Sequence, residues 1–347
     1  MQAGNSLPFI NSLHSMQIKF MVAGLLFCSS GTYAQNMFSM SSLHPADTLR
    51  SELHEQALRY PSLRQASVTT DLFGSGHFES KLNGKDLYNG KSRNTRISSF
   101  FSVPISSWDG NVIGATIYHN EQIFDIQEAN NQLASPRINA GNISKSTLGL
   151  SLNFSRTDAI FHTPVIYSAV FTGLSDNLST VRRFNFNGSI TFPLKRTTDE
   201  YFSLGALVQV DPSAPFPVLP VINYFRKLNS NGLQLILDLP QGASLKQALS
   251  RRAWIYVGTT ANTYASFYKS GDATLPERFS YNTIEFKTGP GFECLLGKYV
   301  VLGVSGGVNS IASARTIAKG SSYNDAFIKT TGKSVPYGEF RISLLPF

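Results

Sequence analysis

The side chains best suited to acid–base chemistry in this chain are its histidines. Five of the six follow residue 34, namely His44, His54, His77, His119 and His162. A hydrolase built on a strand needs a Ser two residues after its His, because this spacing puts both side chains on one face and lets the His take the Ser proton. None of the five histidines has a Ser at that position.

The other chemical motifs are weaker. His77 and Glu79 share a strand face and could form an acid–His pair, but no nucleophile accompanies them. The sequence has no HExxH, CxxC or EF-hand motif for a metal. Gly303, Gly306 and Gly307 precede no helix, so we expect a bent strand there and not a phosphate loop. We therefore expect no catalytic residue, no metal site and no cofactor.

Composition excludes several classes of protein. The 347 residues are 15% charged and 42% hydrophobic, whereas a typical soluble domain is roughly 25% charged. A membrane-spanning helix needs about 20 apolar residues in a row, and the sequence has no such stretch. The 25 Phe and 14 Tyr argue against disorder. What remains is an all-β protein, either soluble or spanning a membrane.

The first 34 residues predict an export signal. The longest apolar run, residues 20–28, follows Lys19 and precedes Thr32-Tyr33-Ala34, which is the order of a secretory signal. We predict Met16 as the true start and cleavage after Ala34. The mature chain then has 313 residues and a formal charge of +7. It has no run of Lys and Arg that marks a phosphate-binding patch, so we expect no nucleic-acid partner.

From about residue 67, apolar and polar residues alternate. In residues 233–239 the leucines occupy one face and Asp238 lies on the other. Such alternation predicts strands with one apolar and one polar face. Thirteen segments have a strand pattern: 67–79, 95–106, 111–119, 146–156, 161–173, 182–193, 201–211, 216–226, 232–240, 251–262, 279–291, 298–310 and 335–347. The longer polar links are 120–145, 263–278 and 311–334.

Strand length favours a membrane barrel over a soluble β-sandwich. Many segments run ten to thirteen residues, whereas globular strands average about 5–6 and a tilted strand that crosses a bilayer needs about 9–11. Aromatic residues cluster near the strand ends, as they do in interfacial girdles, and the chain ends on Phe347. In lipid the sheet must close, because an open edge leaves backbone groups without partners.

The terminal segment, residues 341–347, resembles the C-terminal signal of bacterial outer-membrane barrels, although only Leu345 and the final aromatic residue fit its alternation. The signal ending at residues 32–35 and the strands around residues 239–242 are similar to those of exported barrels of Bacteroidota. The resemblance covers most of residues 60–347 and is to outer-membrane β-barrel families of unknown function. It implies an outer-membrane location and recognition of the last strand by the barrel-assembly machinery.

We predict an all-β fold, a transmembrane antiparallel up-and-down β-barrel over residues 67–347. Bacterial single-chain barrels have an even strand number, so we expect about 12 strands, with ten and fourteen as alternatives. Residues 35–66 form a periplasmic N-terminal segment with a short helix between Pro45 and Pro61, either a lead-in to the barrel or a plug inside it. Charges within strands should face inward, because Arg or Lys facing lipid is costly. These are Arg183, Asp238, Arg252, Glu285, Lys287, Glu339 and Arg341.

The predicted function is that of a monomeric, non-enzymatic outer-membrane barrel in contact with lipid, acting as a narrow channel or a solute-binding barrel. One alternative is a structural or adhesion barrel whose loops bind a partner. A membrane-embedded lipid hydrolase and a soluble periplasmic β-sandwich are the other two.

Overall fold

The computed structural model describes residues 46–161, 163–229 and 232–346. The predicted export signal, His44, His162 and Phe347 lie outside the described residues. Helix α1 spans Ala46–Arg59, and a short 3-10 helix follows at Pro61–Leu63. Pro61 ends α1, as predicted, because proline has no amide proton for an i−4 bond. Within the described ranges, no helix has both the length and the apolar character needed to cross a bilayer.

The rest of the described chain forms one antiparallel sheet of sixteen strands. The strands are β1 (Ala66–Phe73), β2 (Gly76–Leu82), β3 (Lys85–Trp108), β4 (Asn111–Asn131), β5 (Gly141–Ile160), β6 (Thr163–Ser175), β7 (Arg183–Arg196), β8 (Glu200–Val210), β9 (Val218–Lys227), β10 (Leu233–Leu239), β11 (Gly242–Ser250), β12 (Ala253–Lys269), β13 (Arg278–Leu296), β14 (Val300–Ala318), β15 (Ile328–Gly332) and β16 (Val335–Leu344).

The sheet closes into a ring. β1 pairs with β16 and β3, while β2 pairs with β15 and β3. β15 and β16 both pair with β14. β1 and β2 therefore follow one another along a single stave, as do β15 and β16, so the sixteen described strands make fourteen staves. A closed ring leaves no unpaired sheet edge in the bilayer.

The predicted up-and-down barrel is confirmed, but the prediction of about 12 strands is wrong and the alternative of fourteen is right. The strand that the sequence pattern missed is β11 (Gly242–Ser250). Its outward face carries Ala243 and Gln247 beside Leu245 and Leu249, so the apolar alternation is broken. The turn before β11 is also only residues 240–241.

The connections differ between the two ends of the barrel. The ring begins at Ala66 and ends at Leu344, which are paired in the sheet, and this terminal end has short turns such as 109–110, 251–252 and 297–299. The opposite end carries loops 132–140, 176–182, 211–217, 270–277 and 319–327. The predicted links 120–145, 263–278 and 311–334 are too long, because β4, β12 and β14 extend into them. Short turns at the terminal end are typical of outer-membrane barrels.

The wall of the barrel has uneven height. β3 has 24 residues, whereas β10 has only 7, and above Thr260 the edge of β12 has no β11 partner. There β12 meets β5 across the ring, where the Thr147 hydroxyl donates to the Ala265 carbonyl at 2.7 Å. Nearby, Phe124 and Tyr281 lie with their ring centroids 6.2 Å apart. The tall staves thus close onto one another at the end far from the termini.

The two faces of the staves have the chemistry of a membrane barrel. Leu150 and Leu152 on β5 are 54% and 53% exposed, while the alternate residues Ser151 and Asn153 are buried. Large exposed apolar side chains recur on the outward face around the whole ring: Ile97, Phe101, Ile117, Leu150, Phe171, Phe184, Leu204, Val218, Leu245, Val257, Phe292, Val304 and Phe340. Such a continuous apolar band is suited to lipid, not to water. The chain has the fold of an outer-membrane β-barrel.

Candidate solute-binding lumen

The inward faces of the staves enclose a cavity of about 460 Å³. Pockets for small molecules commonly measure about 300–1,000 Å³, so this cavity is of a size that can hold one small solute. Side chains from both sides of the ring line it, together with Arg59 and Tyr60 from the segment that precedes β1. The lining is described below as two walls and a floor.

The neutral wall consists of the inward hydroxyl and amide side chains of β4 to β8. Neighbouring strands are joined by pairs of these groups. The pairs are Asn153 donating to Thr116 at 3.1 Å, Ser151 with Thr172 at 2.8 Å and Ser168 with Ser189 at 2.6 Å. Each group is satisfied by a neighbour of its own kind, so the wall offers polar atoms to a solute without net charge.

The charged wall consists of six inward charged side chains on β1, β3, β13 and β16: Asp71, Arg96, Glu285, Lys287, Glu339 and Arg341. Arg96 forms a bidentate pair with Glu285 at 2.9 and 3.1 Å. Lys287 bridges Asp71 at 2.7 Å and Glu339 at 2.6 Å. Such buried charges need partners, since a carboxylate or ammonium taken out of water alone is strongly disfavoured. Here every member of the charged wall has an opposite charge within reach.

The floor of the cavity is the α1 segment, residues 46–64, held by a second ionic cluster. Arg64 contacts Glu293 at 2.6 Å, and Lys246 contacts the other oxygen of Glu293 at 2.8 Å. Lys246 also donates to the Leu58 carbonyl at 2.7 Å, and Arg64 donates to the Ala57 carbonyl at 3.3 Å. These bonds tie the end of α1 to the inner face of β11 and β13.

Apolar packing completes the floor. Ala57, Tyr60 and Leu63 are buried in one cluster with Phe225, Ile236, Val301 and Leu345, and the Arg59 guanidinium lies 4.0 Å from the centroid of the Phe225 ring. Burial, and next the charge of Asp238, hold the pKa of Tyr60 above its ordinary value. These contacts favour the plug over the lead-in helix, the two alternatives that the sequence left open.

Six of the seven strand charges predicted to face inward do so. Arg183, Asp238, Lys287, Glu339 and Arg341 line the cavity, and Glu285 is buried against Arg96. The prediction for Arg252 is wrong, because this residue lies exposed in the turn between β11 and β12 and not in a strand.

The histidines do not assemble a complete catalytic site. His77 and Glu79 are both exposed on β2. His119 of β4 contacts the Ser146 hydroxyl of β5 through Nε2 at 2.9 Å, a pair that sequence spacing could not reveal because it crosses between strands. Glu121 lies 3.7 Å from the same Nε2. In a hydrolytic triad the acid holds the opposite nitrogen of the ring, so this arrangement has a dyad without an orienting acid.

Among the described residues, no group of three or more His, Cys, Asp and Glu side chains could hold a metal ion. The absence of a metal site and of a cofactor stays a prediction.

No protein-family model and no curated protein matches the chain. Among solved structures it is similar to an outer-membrane channel from Pseudomonas putida F1, with 7% identity, a TM-score of 0.33 and coverage of 81% of this chain and 96% of the other. The translocator domain of the autotransporter NalP from Neisseria meningitidis has 11% identity, a TM-score of 0.30 and coverage of 88% and 100%. The P. putida toluene transporter TodX has 11% identity, a TM-score of 0.29 and coverage of 81% and 89%. Likeness this low says nothing about function, and the fold stands on its own strand pairing.

Proposed function

We propose that this protein is a narrow outer-membrane channel that takes small hydrophilic solutes into a polar lumen. The carrying observation is the cavity of about 460 Å³ inside a closed ring whose outward face is apolar. Barrels of about eight strands are filled by their own side chains. Fourteen staves enclose more space, and part of it is left to solvent and solute.

The α1 segment closes the terminal end of this channel. Its end is held by Arg64 and Lys246 through Glu293, so these bonds must break before the floor can move. A small solute would therefore reach the cavity from the end that carries the long loops and would leave only when α1 shifts.

Planar-bilayer recording tests this function. Wild-type protein should give small, infrequent conductance steps, while Arg64→Ala and Lys246→Ala should give larger or more frequent steps because the floor is released. Lys85→Ala is the matched control, because it removes one positive charge from an exposed site at the far rim and should behave as wild type. No conductance in any of these proteins, once folding is verified, would contradict a channel.

The protein acts without catalysis in this proposal, because Glu121 does not orient the His119 ring for hydrolysis. Release of fatty acid from phospholipid bilayers checks this point. We expect none above background. Release that disappears in Ser146→Ala and persists in Ser151→Ala would instead favour the lipid hydrolase.

The proposed location is the outer membrane of a Gram-negative cell, with a monomeric barrel inserted by the barrel-assembly machinery through its last strand. Export should remove the signal after Ala34. Sequencing of the mature N-terminus should then begin at Gln35, and a different first residue would correct the cleavage site.

A further inference from the structure

The carboxylates inside the barrel differ in how they are paired. Asp71, Glu285, Glu293 and Glu339 each have a Lys or Arg nitrogen within 3.1 Å. Asp238 on β10 has no ion pair with any described residue, and its Oδ1 is buried without a hydrogen-bond partner. It is the exception in a lumen where charge is otherwise matched.

The surroundings of Asp238 leave room beside it. Its neighbour on β11 is Gly242, which has no side chain, and its neighbour on β9 is Asn223. The Asn223 amide donates to Ser203 at 3.1 Å and is therefore engaged elsewhere. Asp238, Gly242 and Gln241 all line the cavity.

A second polar atom without a partner lies in the same turn. The side-chain nitrogen Nε2 of Gln241 is buried and unbonded, while the backbone oxygen of Gln241 accepts the Ala261 amide at 2.7 Å and so fixes the turn. Asp238 thus supplies an acceptor and Gln241 a donor within one short hairpin. Tyr60 from the floor also lies near enough for the Asp238 charge to act on its phenol.

We infer that Asp238 and Gln241 form a solute-binding subsite for a small organic cation, a molecule with a protonated amine and neighbouring hydroxyl or carbonyl groups. A buried carboxylate without a counter-ion is stabilised when a ligand brings the positive charge. The Gln241 amide then donates to an oxygen of the same ligand, and the hydroxyl groups of the neutral wall bind the rest. This inference rests on the proposed function and names the class of solute.

The subsite also explains why the solute would pause above the floor. Asp238 shares the cavity with Tyr60 and Arg59, which belong to the α1 segment. A cation bound at Asp238 lies beside the element that must move for passage.

Matched sugars test the subsite, because glucosamine and glucose have nearly the same size and differ in one amine. Binding is measured by calorimetry on the full-length mature protein in detergent, at a mildly acidic pH where the amine is protonated. Wild-type protein should bind glucosamine at least about tenfold more tightly than glucose, the scale of one charge-assisted hydrogen bond. Asp238→Asn should abolish this preference.

Asp158→Asn serves as the control, because Asp158 is exposed and outside the cavity lining, and it should keep the preference. Unboiled-gel mobility verifies folding of each variant. Equal binding of the two sugars, no binding of either, or an unchanged preference in Asp238→Asn would overturn the subsite. The channel is tested separately: conductance without amine preference sinks the subsite alone, and amine binding without conductance sinks the channel alone.

Discussion

The neutral wall and the charged wall line one cavity but are stabilised in different ways. On the neutral wall, Ser168 and Ser189 exchange a hydrogen bond between uncharged hydroxyls. On the charged wall, Arg96 and Glu285 are 0% and 4% exposed and depend on each other for their charge. A neutral pair contributes only about 1 kcal/mol, whereas loss of one member of a buried ion pair is far more costly. The two walls should therefore respond very differently to the removal of a single side chain.

The difference also separates stability from binding. The charges of the charged wall are already matched to one another, so a solute gains little by approaching them. Asp238 lies on β10, outside both walls, and has no such partner. A lumen can thus hold many charges and still offer only a few of them to a ligand.

Glu285→Ala should give the largest loss of stability. It leaves the Arg96 guanidinium buried without its bidentate partner, which costs about 3–5 kcal/mol. Denaturant unfolding of the folded barrel, followed by gel mobility, measures the change. Arg96→Met combined with Glu285→Leu removes both charges and should recover most of the loss. A double variant no more stable than Glu285→Ala would show that the charges themselves are not the cause.

An arginine on the outward face should cost nearly as much, and equally behind both walls. Leu150 lies behind the neutral wall and Val304 behind the charged wall, and they are 54% and 48% exposed. Leu150→Arg and Val304→Arg should each lose about 2–4 kcal/mol near the bilayer midplane. Folding in lipid vesicles measures this, with Leu150→Phe as the tolerated control. A cost confined to one wall would mean that the apolar band does not continue around the ring.

Ser168→Ala should have a small effect. It removes the bond to Ser189 at 2.6 Å and costs about 1 kcal/mol. The same unfolding measurement applies. A loss as large as that of Glu285→Ala would erase the contrast between the walls.

The smallest effect should be a pH dependence of the floor, which neither wall shares. Burial lowers the pKa of His54 below its ordinary 6.5, so the docked helix favours the neutral imidazole. Docking should be strongest above 6.5 and should weaken as the pH falls through this value and His54 takes up a proton. More frequent channel openings in mild acid, absent in His54→Gln, are the expected result. Openings that decrease in acid would reverse the sign.

Local alternation made much of the barrel predictable. The pattern of residues 184–192 assigns Phe184 and Phe186 to the outside and Asn187 and Ser189 to the inside, and the structure agrees. Asp238 is predicted inward for the same reason, because a period of two fixes the face of every residue in a strand.

Features that depend on pairing between distant residues could not be predicted. Arg96 and Glu285 are 189 positions apart, and the His119–Ser146 contact depends on the register between β4 and β5. β11 was missed because Gln247 interrupts its outward face. The docking of α1 depends on Glu293 and Lys246, which lie far along the chain.

A nitroxide scan along residues 149–154 of β5 in lipid vesicles tests the membrane barrel most directly, after replacement of the free Cys294 by Ser. Labels at positions 150, 152 and 154 should be accessible to oxygen dissolved in the lipid. Labels at 149, 151 and 153 should be shielded from oxygen, because alternate residues face the lumen. Equal access of a water-soluble reagent to all six positions, with no alternation, would contradict a barrel that spans the membrane.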